Sequence, residues 1–467
     1  MRVPVFGLGT RSRSAAVTAA QLQNFYLESR PQGEKSQLVA YGTPGLDLFA
    51  TFGDTPVRGM LTVEPVDKFY PVHRGTLYSV NNAGTKTSLG TLATTEGKVY
   101  QAHDGTVLLT VDGTSGYTLN TGTDAFATVV DGDFIATPKT VTWIDGYFVV
   151  ANRSVFQIST DGTSWNAADI GVPESNPDGI VRVFADHGQL TIFGDISTEF
   201  WENTGATDFP FSPIKSATIE WGCASAASVC KFNDSVAFLA QNRMGQVSVA
   251  MLKGYTPQII STPDIDNIIN GYASVNDATA FSYMLGGHPM YQINFPAAGY
   301  SWLFDASTGK WSSLKSYGIS RQRSEIGIQF ITRTIVSDYS TGDLYEINPL
   351  TYTENGEMIE SEIVSENIAD PDKTPFPIDR FRVDMETGVG LVTGQGSDPQ
   401  VMLQVSEDGG NSWGSEMWMT AGAIGVYGRR VEWRRLGAPQ SGEVVFKVRI
   451  TDPVKRAIVS AMLNPPS

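Results

Sequence analysis

At 467 residues, with 41% apolar and 10% aromatic side chains, the chain is too long for one ordinary core and too hydrophobic for global disorder. Lys and Arg total 33 against 49 Asp and Glu, a net charge of −16, so any contact with DNA must be local, because backbone affinity rests on clustered cations displacing counterions. The only cysteines, Cys223 and Cys230, form no CxxC pair and have no nearby histidine; they give little support to a disulfide scaffold or a structural zinc site and read as two buried thiols.

The N-terminus MRVPVFGLGTRSRSAAVTAA lacks the apolar core of a secretory signal, and no long apolar run exists to span a bilayer, so a soluble cytosolic product is expected. Residues 1–55 carry no repeat but contain Phe25, Tyr26, Leu38, Val39 and Tyr41, apolar groups that need a partner. They read as an extended arm that lends a strand to its own sheet or to a neighbouring subunit, hiding a sheet edge.

Residues 56–350 alternate turn and strand, with openings HRGTLYSV, HDGTVLLTV, IDGYFVVAN, DHGQLTIFG, FNDSVAFLA, LGGHPMYQINF and EIGIQFITR at spacings of about 30 to 52 residues. In IDGYFVVANRSVFQISTDGTSW, Tyr147, Val149 and Ala151 face one way and Phe148 and Val150 the other, so both faces of the hairpin are apolar. A lone hairpin cannot cover two such faces. Four-stranded sheets stacked around an axis can, which predicts a β-propeller of six or seven blades. In STPDIDNIINGY, Thr262 can cap, Pro263 suits the first helical position, and Ile265, Ile268 and Ile269 form a stripe that Asn270-Gly271 ends. One short helix over 263–270, lying across a blade edge, is expected.

Residues 351–379 are rich in proline and charge and read as a linker. Residues 380–467 hold short strands such as RFRVDMETG, VMLQVSED, RRVEWRRLG and VVFKVRIT, the pattern of a β-sandwich of roughly 100 residues. The fold class is therefore all-β: propeller, then sandwich.

SEDGGNSWG occurs in the spelling found in sialidase propellers. Its plain reading is a turn: Ser406 and Ser412 bond neighbouring backbone, Asp408 accepts turn amides, Gly409 and Gly410 allow positive φ, and Trp413 anchors the next strand. Echoes at STDGTSW (Ser159 to Trp165) and DASTGKW (Asp305 to Trp311) favour architecture over catalysis. A sialidase also needs converging arginines and a Tyr-Glu nucleophile pair. Arginines cluster as Arg321 and Arg323 in SRQRSEIGIQF and as Arg429, Arg430, Arg434 and Arg435 in GRRVEWRRLG, where alternation puts Arg430 and Glu432 on one solvated strand face and Val431 and Trp433 on the other; neither cluster reads as catalytic. His73, His103, His187 and His288 sit at no metal-ligand spacing and read as blade-turn hydrogen bonders. GVGLVTGQG lacks a phosphate-loop spacing and reads as a flexible sandwich loop, and DPDK at 370–373 lacks the calcium-loop pattern. No catalytic residue, cofactor or metal site is expected.

QNFYLESRPQGEKSQLVAYGTPGL, SNPDGIVRV, STEFWENTGATDFPF, GYTPQIISTPDIDNIINGY, and EDGGNSWGSEMWM followed by RRVEWRRLGAP resemble, in order along the chain, the phage stabilisation proteins, or packaged-DNA stabilisation and tail hub proteins, of short-tailed bacteriophages. The resemblance implies a non-enzymatic virion protein, assembled in the host bacterial cytoplasm and residing in the tail. It would form a homo-oligomeric ring, hexameric in the best-known members, below the portal-adaptor ring, closing the DNA channel and carrying the tail needle or plug and the tailspikes or fibres. The alternatives from the residues are a sialidase-like hydrolase or a glycan-binding lectin. The net acidity is expected toward the ring lumen, where it would let DNA pass without sticking.

Overall fold

The computed structural model describes residues 2–3, 10–12, 18–31, 37–63, 68–173, 175–370 and 372–464. Within them the chain is almost wholly β, with one α-helix, Pro263–Asn270, and one turn of 3-10 helix, Ala226–Ser228.

Seven antiparallel sheets follow one another around an axis. Six are built from consecutive strands in residues 57–91, 100–128, 140–171, 180–213, 222–259 and 279–314; the seventh joins residues 324–348 to the early strand Gly45–Thr51. Amphipathicity explains the stacking. In blade three, Val149, Ala151, Phe156 and Ile158 pack on Ile180, Leu190 and Ile192 of blade four, while Phe148 and Val150 pack on Leu109 and Val111 of blade two. Each strand thus buries both faces, one against each neighbour, which a two-faced apolar repeat requires.

The sequence openings are hairpin turns, one per blade. In blades three to six they are two-residue turns with both central residues at positive φ, as at Asp145 (50°) and Gly146 (86°), the geometry that matches strand twist. In blade one the HRG turn comes a strand later, between Lys68–His73 and Thr76–Asn81.

The ring is closed by the N-terminus. Gly45–Thr51 pairs antiparallel with Asp343–Asn348, and Phe69 of blade one meets Phe330 of blade seven edge-on at 5.0 Å. The described residues among the first 55 are therefore divided between two bodies. Phe25–Ser29 and Leu38–Gly42 belong to one sandwich sheet with Ala457–Leu463, Ile378–Met385 and Val431–Gly437. Gln21–Gln23 lies between blade six and the second sandwich sheet, parallel to Lys310–Leu314 on one side and antiparallel to Ser361–Val364 on the other. The sandwich core joins Phe25, Leu27 and Ala40 to Phe381, Trp433, Phe446 and Ile458. Segments of the N-terminal stretch that fall in 4–9, 13–17 and 32–36 lie outside the described residues.

The helix forms as its sequence dictates: the Thr262 hydroxyl accepts from the Ile265 amide at 3.3 Å, and Pro263 opens the first turn. Ile265 and Ile269 are fully buried against blade five, and the Asn270 amide exchanges two hydrogen bonds with the Val247 backbone, at 2.8 and 2.9 Å, pinning the helix to a strand.

Candidate assembly surface

The SEDGGNSWG turn links strands Gln400–Ser406 and Met417–Thr420. The buried Ser406 hydroxyl donates to Asp408 Oδ1 at 2.7 Å and accepts from the Gly410 amide at 2.8 Å. Asp408 Oδ1 also accepts from the amides of Asn411 and Ser412, and Oδ2 from the Ser412 hydroxyl at 2.6 Å. These bonds, led by the Ser412 side chain and amide, hold the Asp408 carboxyl well below the usual carboxylate range. Gly410 sits at φ 86°, with Ala19 close enough that a Cβ would meet it at 3.2 Å. Trp413 lies in the loop ahead of the strand rather than within it, half-buried over Ala19, Val364 and Val445 with the Lys447 ammonium 4.3 Å from its ring. The turn therefore clasps the N-terminal segment.

The same construction recurs in blade three. The Ser159 hydroxyl accepts from the Gly162 amide, Asp161 Oδ1 accepts from Thr163 and Ser164 at 2.8 Å each, and Trp165 is buried edge-on against Phe134. Burial acts to raise the Asp161 pKa, but the bonds from Ser164 and Thr163 prevail together and bring it down to about 2. At Asp305 only the acceptor role is kept, with Ser307 and Thr308 as donors, and Trp311 is wholly buried in the following strand.

The arginines of SRQRSEIG are drawn into protein ion pairs. Arg321 donates to Glu325 at 2.7 Å and lies over the Tyr339 ring, and Arg323 meets Glu354 at 3.3 Å, Tyr345 and Asp338. In GRRVEWRRLG Val431 and Trp433 enter the core as the alternation predicts, but the opposite face is not simply solvated: Glu432, with its side chain only 7% exposed, takes the exposed Arg434 at 2.8 Å. His73 bonds Thr55, His103 accepts from the Gly105 amide, His187 bonds Asp186, and His288 bonds Asp305 in the interior. Cys223 is buried and Cys230 half-buried; both are free, and desolvation raises their thiols to about 11 and about 12. The Asp370 carboxylate is occupied by the Asp372 and Thr374 amides and the Thr374 hydroxyl, while Pro371 lies outside the described residues. Among the described residues no group of three His, Cys, Asp or Glu side chains converges as metal ligands, and no helix is long and apolar enough to cross a membrane.

Two features were not singled out in the sequence. Asn24, within QNFYLESR, is buried at φ 54° and knots three segments: its amide donates to the carbonyls of Lys315 and Glu360 at 2.8 and 2.7 Å and accepts from the Lys315 amide at 3.0 Å. The second is a surface. The glycine-rich loop after Met385 is tied to the loop after Thr420, with Thr387 donating to the Tyr427 carbonyl at 2.8 Å and Gly425 to that of Gly388 at 3.1 Å. Val392 (81% exposed), Ile424 and Tyr427 (76% exposed) lie on these two loops at one end of the sandwich, and the exposed Trp418 lies on the edge strand before the second loop.

The family comparison resolves the fold into two modules in this order: the model described as "Bacteriophage P22 Gp10, beta-propeller" matches residues 1–352, and that described as "Bacteriophage P22 Gp10, beta-sandwich" matches 363–464. The chain belongs to the P22 Gp10 family. The propeller match takes in Gly45–Thr51, which closes the seventh blade, and also Phe25–Ser29 and Leu38–Gly42, which lie in a sandwich sheet. The curated relative, the tail hub protein gp10 of Salmonella phage P22, is 26% identical over 297 residues, which is 59% of this chain and 58% of that protein. The chain thus aligns with somewhat over half the length of that relative. Among solved structures, the WD40 propeller domain of Doa1 covers 65% of this chain and 96% of its own (TM-score 0.42, 14% identity). The extracellular domain of the hybrid two-component system BT4673 from B. thetaiotaomicron covers 74% of this chain and 45% of its own (TM-score 0.45, 9% identity). Likenesses this distant say nothing of what a Gp10 protein does.

Proposed function

We propose that this chain is a tail hub protein of a short-tailed bacteriophage, a structural and non-enzymatic component of the virion tail. The observation that carries the reading is the pair of Gp10 family matches, which together run through nearly the whole chain in order. In this reading copies associate side by side as a ring, a hexamer, below the portal and its adaptor ring. The ring closes the DNA channel and offers sites to needle and tailspikes. The working units are a propeller closed by Gly45–Thr51 and a sandwich that includes Phe25–Ser29 and Leu38–Gly42, joined through Gln21–Gln23. That weave makes one stiff body suited to carrying load between neighbours. The apolar tip around Val392, Ile424 and Tyr427 supplies the hydrophobic centre of one contact, and the net charge of −16 suits a lumen that DNA must pass. SEDGGNSWG serves as a structural turn. Assembly takes place in the host cytoplasm.

Electron microscopy of the purified chain, alone and with portal, tests the reading: ring-shaped particles are expected, and dispersed monomers under both conditions would overturn it. Turnover of a fluorogenic sialoside would overturn its non-enzymatic part.

A further inference from the structure

One sandwich sheet begins at the propeller and ends in a cluster of arginines. Its order runs Phe25–Ser29, Leu38–Gly42, Ala457–Leu463, Ile378–Met385, Val431–Gly437. The first strand meets blade six, where the Tyr26 ring stands edge-on 5.5 Å from His288, so Val431–Gly437 is the sheet's far edge. Phe381, Val383, Val431 and Trp433 enter the core, which leaves Arg380, Arg382 and Arg434 on the outer face, with Arg380 and Arg434 direct cross-strand partners. Like charges set opposite each other cost stability. Arg429 and Arg430 lead into the edge strand, and Arg435 sits in its bulge at φ 59°. Across 378–385 and 429–437 six arginines stand against three carboxylates, Asp379, Asp384 and Glu432. Arg382 takes Asp384 and Arg434 takes Glu432, while the side chains of Arg380, Arg430 and Arg435 make no hydrogen bond or ion pair among the described residues. A charged, bulged edge discourages a further strand, so a partner on this face is met through side chains.

The complementary charge lies across the molecule. In a ring of seven, blades two and three stand opposite blade six. Residues 101–180, which build these two blades and their links, hold ten Asp and Glu against two Lys and Arg, a net −8 of the chain's −16, whereas residues 371–467 balance at eleven of each sign. The turns joining a blade's first strand to its second and its third to its fourth share one end of the sheet. That end carries Asp104 and Asp124 in blade two and Asp145, Asp161 and Asp169 in blade three. The segment's two cations, Lys139 and Arg153, lie at the opposite end, and Lys68 of blade one offsets Asp124 at 3.9 Å. Asp208 of blade four extends the acidic rim, sharing with Asp169 the lining of a groove of about 350 Å³. The carboxylates of Asp145, Asp169 and Asp208 accept no hydrogen bond and meet no cation among the described residues.

We propose that the arginine edge of one sandwich docks on the acidic rim of blades two to four in a second copy of the chain. The two surfaces stand on opposite sides of one molecule and cannot meet within it. A contact between unlike surfaces runs head to tail and closes as a ring where the rotation permits. The proposal rests on the reading of the chain as a ring-forming hub and names the surfaces that make the ring. Exposed Tyr427, two residues before Arg429, sets apolar area beside the charge, as a stable contact needs. Duplex DNA is the less favoured polyanion, because a local excess of three cations is set in a chain of net charge −16.

Sedimentation of the full chain beside two charge-reversed variants is the test. The first variant combines Arg380→Glu, Arg430→Glu and Arg435→Glu; the second combines Asp145→Lys, Asp169→Lys and Asp208→Lys. Neither removes a side-chain bond within the chain. The parent should form ring-sized particles that weaken as salt is raised, and each variant alone should associate at least about tenfold more weakly, because like charges then meet. An equimolar mixture of the two should recover the ring-sized species, since every contact in an alternating hexamer again pairs opposite charges. Rings from either variant alone at the parent's concentration, or a mixture that stays monomeric, would overturn the contact and leave the hub reading standing. A parent chain that forms no ring, alone or with portal, would overturn both. Binding of a DNA duplex by the parent, lost in a first variant whose rings persist, would give the arginines to nucleic acid and overturn the contact between copies.

Discussion

Asp161 and Asp408 stand in separate bodies of the molecule and do the same job, gathering turn amides that the chain reversal would otherwise leave unpaired. Both carboxyls titrate below their ordinary value when folded, so their contribution is complete above the unfolded value and is lost as pH falls through the folded one. For Asp161 that window runs from 3.8 down to about 2. Thermal midpoints across this range should fall less steeply for Asp161→Asn than for the parent, since the amide no longer takes up a proton there; an unchanged slope would show that the turn does not couple to folding. Ser406 is the buried end of the second turn, and Ser406→Ala should cost about 1 to 2 kcal/mol in denaturant unfolding. Asn24→Ala strands the buried backbone groups of Lys315 and Glu360 and should cost about 1 to 3 kcal/mol by the same measurement. The two turns could be read from their Ser, Asp and Gly spacing because the bonds are local. Asn24 could not, because its partners lie some 300 residues away in sequence.

At the scale of elements, hairpins and helix follow from local pattern. The stripe Ile265, Ile268, Ile269 behind Thr262 and Pro263 specifies the helix without knowledge of what covers it. Its stability is tertiary, and Ile269→Ala should cost about 2 to 5 kcal/mol, with loss of blade-five protection in hydrogen exchange. The strand Gly45–Thr51 is different. Nothing in GLDLFAT says that its partner is Asp343–Asn348, since register across so long a separation is chosen by the sheet edge left open when the ring closes. A chain lacking residues 1–51 should therefore be insoluble or unfold without a cooperative transition, exposing edges in both bodies at once; a sharp transition near the parent's midpoint would contradict the weave.

For the whole molecule, the exposed tip carries the assembly prediction. Val392→Asp combined with Tyr427→Asp changes groups that are mostly solvated, so the thermal midpoint should be nearly unchanged while ring particles disappear from micrographs. Normal rings from that variant would place the contact elsewhere.

From its residues alone, this chain determined that it is all-β, that it turns in apolar repeats too two-faced to stand singly, that one short helix interrupts them, and that SEDGGNSWG is a turn. Those features depend on neighbours a few residues away, where backbone geometry and side-chain alternation leave little choice. Tertiary structure alone decided the count of seven blades, the use of the N-terminus as closing strand and sandwich strands, and the tying together of the two loops that carry Val392, Ile424 and Tyr427. Each of these is a choice of partner between segments far apart in the chain, and edge pairing and register are settled by the strands already in place rather than by the local sequence.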